Sequence, residues 1–109
     1  MTRLAEQEVM FRFWNALDEA YLTRRSPDDN PIDRLLQRPW ASKDPLVQQA
    51  WRALTHPVNL ERLERWLMPD MNLEARESTE RAIEECRRRT EENPNEEPPP
   101  IPDLPECMR

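Results

Sequence analysis

Glycine is absent from this 109-residue chain. Its absence removes the usual residue for turns at positive φ and excludes the glycine-rich loops that cradle phosphates. Histidine occurs once and cysteine twice. His56 has no partner at metal-ligand spacing, and Cys86 and Cys107 are too few and too far apart for a disulfide framework. A reducing cytoplasm is the simplest reading of such thiols. No apolar run approaches the roughly 18 residues that span a bilayer. Glu6 and Glu8 stand where a signal peptide would hold its apolar stretch, so export by that route is not expected.

The net charge of −6 is unevenly placed. Residues 1–90 carry 16 acids and 15 bases, whereas residues 91–109 carry six acids against Arg109 alone. The body is therefore nearly neutral and the end of the chain acidic. Nucleic-acid binders draw most of their affinity from a basic face, which this distribution does not provide. Arg87-Arg88-Arg89 is flanked by Glu84, Glu85, Glu91 and Glu92, and the segment as a whole is acidic.

Proline occurs 12 times and supplies the punctuation that glycine does not. The spacing predicts a helix over 3–25 with Thr2 as cap, carrying Met10, Phe13, Trp14, Leu17, Ala20 and Tyr21 on one broad stripe. RRSPDDNP breaks it. Asn30-Pro31 starts a short helix with Ile32, Leu35 and Leu36, and Asp44-Pro45 starts another with Leu46, Val47, Ala50, Trp51 and Leu54. Beyond His56-Pro57, VNLERLERWLM places Val58, Leu60, Leu63, Trp66 and Leu67 on a fourth. Asn72 caps a fifth helix over 73–92, whose inward stripe of Ala75, Thr79, Ala82, Ile83, Cys86 and Thr90 is mostly small. No stretch sustains period-two alternation. The expectation is an all-α bundle of about five helices over residues 1–92, its core built on Met10, Phe13, Trp14, Leu17, Tyr21, Trp51, Leu54, Leu63, Trp66 and Leu67. Trp40 is expected to join that core.

Residues 93–109, NPNEEPPPIPDLPECMR, hold six of the 12 prolines among acids. This composition predicts a disordered tail with polyproline II bias. PPPIP and PDLP would suit a proline-recognising groove, but motifs so short recur by chance, and a solvating end is the preferred reading.

Chemistry is not expected. His56 precedes Pro57 at a helix end, where a positive charge is favourable. Ser26, Ser42, Ser78, Cys86 and Cys107 offer no signature of a nucleophile held beside it. The carboxylate clusters Asp28-Asp29, Glu84-Glu85 and Glu91-Glu92 read as solvated charge. Neither an enzyme, a metal site nor a cofactor is expected.

What remains is apolar surface. At about 100° per residue, Leu4, Phe11 and Leu22 cluster on a second face of the first helix, among Glu8, Asn15, Asp18 and Glu19. Three large apolar side chains there predict burial against later helices or against another chain, and an isologous homodimer is one solution. Composition and spacing thus favour a small regulatory interaction protein with an apolar helix face. The segments EQEVMFRFWNALDEAYL and WRALTHPVNLERLERWL resemble the small bacterial quorum-sensing antiactivators. That resemblance implies a LuxR-type transcription regulator as partner, prevented from dimerising or binding DNA. A structural subunit of a larger assembly and a small DNA-binding accessory protein are the alternative readings.

Overall fold

The computed structural model describes the backbone of residues 3–95 and the side chains of residues 13–95. Those residues form five α-helices and no strand: α1 (Arg3–Leu22), α2 (Pro31–Leu36), α3 (Pro45–Leu54), α4 (Leu60–Trp66) and α5 (Leu73–Glu92). Single 3-10 turns at Pro39–Ala41 and Pro57–Asn59 join α2 to α3 and α3 to α4. The protein is an all-α bundle. Thr2 and the tail from residue 96 onward lie outside the described residues.

The helix starts follow from side-chain caps on amide groups that would otherwise be unpaired. Asn30 accepts from the Ile32 amide at 3.0 Å, Asp44 from Leu46 at 3.0 Å and Asn72 from Ala75 at 2.8 Å. At the first two corners proline occupies the first helical position, where its missing N–H is no loss.

α1 stops at Leu22, three residues before the break read from the sequence. Thr23 donates through Oγ1 to the Glu19 carbonyl at 2.7 Å, and Arg24 folds back onto the Tyr21 carbonyl. These side chains occupy carbonyls that a further turn would have used. The fourth helix also begins later than its apolar pattern suggests. Val58 belongs to a 3-10 turn, and the ring of His56 accepts the Val58 amide through Nδ1 at 3.1 Å. His56 is buried, and its ring caps this turn through Nδ1.

The chain also uses positive φ without glycine. Gln37 (φ 50°) and Arg38 (φ 55°) are both left-handed. Gln37 has a helix-end reason, because its amide closes α2 on the Asp33 carbonyl at 2.8 Å. Arg38 has none, and it precedes Pro39, a position normally held extended. Such a residue costs of order 1–3 kcal/mol. The surrounding packing must offset it.

The core is continuous. Phe13, Trp14, Leu17 and Tyr21 of α1 are buried with Ile32 and Leu36 of α2, Leu54 of α3, Leu63 and Trp66 of α4, and Ile83 of α5. Tyr21 stacks on Trp66 with ring centroids 4.3 Å apart, and Phe13 meets Trp14 edge-on at 5.0 Å. Trp51 and Leu67 are not enclosed with them: both are half-buried at the margin of this core. Trp40 is likewise half-buried. Short helices cannot surround an indole on every side, so these side chains close the rim. The Met10 side chain lies outside the described residues.

α5 serves as a strut across both corners. Its N-terminal half meets the α1–α2 corner, where the Asn30 amide reaches the Ala75 carbonyl at 3.4 Å and Ser78 donates to Asp33 at 2.7 Å. Further along, Cys86 donates its thiol hydrogen to the His56 carbonyl at 3.4 Å, and Arg89 donates to the Arg52 carbonyl at 2.7 Å and to Thr55 at 3.0 Å. The sequence reading placed Thr90 inward, but Thr90 is exposed and Arg89 is buried instead. The guanidinium finds a carbonyl at the C-terminal end of α3, which favours a cation. Small residues at 75, 78, 79, 82 and 86 allow the close approach that these hydrogen bonds require.

Candidate functional site

Two surface regions and one buried group merit a functional reading. The first region follows from the junction of α1 with α5. Tyr21 donates its hydroxyl to Asn30 at 2.8 Å, and that hydroxyl lies 3.3 Å from Thr79, so the C-terminus of α1 is fixed against the first turns of α5. Arg24 extends from this junction to Met68. Near these elements Leu22 is 85% exposed, Leu73 80% exposed and Met68 37% exposed. Of the three residues read as a partner face, Leu22 is thus open to solvent. The side chains of Leu4 and Phe11 lie outside the described residues. Leu73 and Met68 were not singled out from the sequence. Leu73 follows the Asn72 cap directly, and its exposure is set by the way α5 crosses the bundle.

The second region is aromatic and cationic. Trp40, in the turn after α2, meets Trp51 of α3 edge-on with centroids 6.3 Å apart. Two arginines lie over the Trp40 ring: Arg81 of α5 at 5.1 Å from the centroid and Arg38 at 5.8 Å. The left-handed backbone at Gln37 and Arg38 is what turns the Arg38 side chain back over the ring that follows it. Arg81 also pairs with Glu77 at 3.0 Å, whereas no carboxylate among the described residues pairs with Arg38. Trp and Arg in partly buried clusters are the residue types that anchor protein interfaces.

The buried group is Cys86, fully enclosed, its thiol pushed up from an ordinary 9.0 to about 12. Burial is the main cause; nearby Arg89 opposes the shift and Glu85 adds to it. Burial likewise raises the Tyr21 phenol, opposed in part by its hydrogen bond to Thr79. A thiol so held is a poor nucleophile. The stability consequence has a definite sign. Both groups keep their protons longer in the folded state, so their contribution is complete below the unfolded pKa values and is lost as pH rises above about 9. The melting temperature should fall steadily between pH 9 and 11, and Cys86→Ala should flatten the earlier part of that fall. An identical pH slope in the variant would contradict the assignment to Cys86.

Among the described residues, no group of three or more His, Cys, Asp or Glu side chains is placed to hold a metal ion. No described helix is long and apolar enough to cross a membrane. Compared with family models, curated proteins and solved structures, the chain matches none of them.

Proposed function

We propose that this chain is a small, non-enzymatic regulatory protein that acts by binding another protein through apolar residues of α1. The observation that carries the reading is the exposure of Leu22, 85% open to solvent at the end of α1. An apolar side chain left in water at a helix end loses about 1.5–3 kcal/mol that burial against a partner would recover. Leu4 and Phe11 extend the same apolar face on the helical period. Occupancy by a second copy and occupancy by a target then compete, and the homodimer is a reservoir from which the regulator is drawn. The finer reading is an antiactivator that blocks a LuxR-type quorum-sensing regulator in the cytoplasm. It rests on the resemblance of the α1 and α3–α4 segments to that class.

The combined substitution Phe11→Glu with Leu22→Glu tests the surface. It should yield a folded monomer by light scattering, with an unchanged far-UV circular dichroism spectrum, while the unsubstituted chain runs as a dimer. Melting of the helices in the variant would instead place Phe11 inside the core of its own chain. For the finer reading, the purified protein should abolish operator binding by a LuxR-type regulator in a gel-shift assay, and the double variant should not.

A further inference from the structure

The Trp40–Trp51 patch lies outside the α1 surface just described, and its chemistry points to a different occupant. We propose that the chain's own acidic, proline-rich end docks on this patch, with PPPIP at residues 98–102 laid across Trp40 and Trp51 and the flanking acids beside Arg38 and Arg81.

Three observations support this assignment. The first is the match of chemistry. Two half-buried indoles meeting edge-on form the kind of aromatic platform that accepts proline rings, and a proline run arrives with little conformational entropy left to lose. Charge complementarity is the second. Residues 96–109 hold Glu96, Glu97, Asp103 and Glu106 against Arg109, and the acids flank the proline run on both sides. Over the platform stand two guanidinium groups, and that of Arg38 is paired with no carboxylate among the described residues. The strained left-handed backbone of Arg38 is accounted for when its cation is held at a binding surface.

The third observation is reach. Arg81 lies 11 residues before Glu92, the last residue of α5, which is about 16 Å along the helix. Pro94 and Asn95 form a turn after α5, and residues 96–100 beyond it span about 15 Å at the rise of polyproline II. A chain that doubles back along α5 from that turn therefore brings Pro100 and Ile101, within PPPIP, to the level of Arg81. Neither a longer linker nor an unfolded turn of α5 is needed.

The full-length protein carries its own probe. Cys86 is enclosed, so a nitroxide reagent should attach to Cys107 within the tail, with mass spectrometry confirming the site. In the labelled, nitrogen-15-enriched chain, the indole N–H signals of Trp40 and Trp51 should lose intensity several-fold more than those of Trp14 and Trp66. Diluting the labelled chain with excess unlabelled, unenriched protein should leave that pattern intact. Substituting Pro98→Ser, Pro99→Ser and Pro100→Ser together, or Arg38→Ser alone, should abolish most of the selective loss. The proline substitutions leave the described core untouched, so their effect cannot come from unfolding it. Equal loss at all four indoles would overturn the proposal. So would a selective loss that survives the proline substitutions, or one that arises only when labelled, unenriched chains are mixed with unlabelled, enriched ones; the last result would assign the patch to a second copy.

Discussion

Trp66→Ala should remove about 3–5 kcal/mol of stability, a large part of the roughly 5–14 kcal/mol expected for a domain of this size. The indole is buried, stacks on Tyr21 with rings only 10° from parallel, and donates from Nε1 to Asp18 at 2.7 Å. Its removal opens a cavity between α1 and α4 and leaves a carboxylate without its donor. For a chain of this length the melting temperature should drop by about 15 °C or more. Trp66→Phe separates the two contributions. It keeps a ring against Tyr21 but loses the hydrogen bond to a charged acceptor, worth about 1.5–3 kcal/mol. Equal melting temperatures for Trp66→Phe and the unsubstituted protein would show that the Asp18 contact contributes nothing.

Asp18→Ala should cost about 1.5–3 kcal/mol, far more than a surface carboxylate normally does. Asp18 ties α1 to α4 through three side chains. It accepts from Trp66, lies 3.0 Å from Arg62 Nε, and through Arg62 reaches the Trp14 ring, whose centroid is 5.5 Å from the guanidinium carbon. The Arg62 contact is Coulombic rather than a well-formed hydrogen bond, because Nε is buried with its N–H unmatched by an acceptor in line. About a quarter of each side chain is exposed, so water offsets part of the loss, which sets the figure below that for a fully buried pair. Replacing Arg62 by methionine in the same chain should restore part of the stability, since the orphaned cation is then gone. Glu77→Ala is the control: it breaks the exposed i,i+4 pair with Arg81 and should cost only about 0.3–0.5 kcal/mol. Urea denaturation of the four chains gives the comparison directly.

Asp18 also shows where sequence reading reaches its limit. On a helical wheel it lies among polar residues of α1 and reads as solvated. Its value comes from Trp66, 48 positions away, and no local pattern announces that pairing. Arg89 is a similar case. Within Arg87-Arg88-Arg89 the three side chains are chemically identical, yet only Arg89 lies on the face that meets the end of α3. Trp40 and Trp51 were read as core because indoles in a small domain usually are. They line the rim instead, since three short helices and two 3-10 turns leave an open edge there.

Three of the caps, by contrast, were legible. Asn30, Asp44 and Asn72 begin helices because a short side-chain acceptor beside the first turn satisfies amides within three residues. The apolar stripe of α1 was equally plain, because period 3.6 is a property of one helix alone. Helix type, number and the starts at Pro31, Pro45 and Leu73 are thus determined by interactions that close within a few residues, and the amino-acid sequence by itself determined them. Which arginine is buried, which tryptophans remain at the surface, and whether Leu22 is covered depend on how one helix lies across another. Those distances involve residues tens of positions apart, so only the tertiary structure decided them.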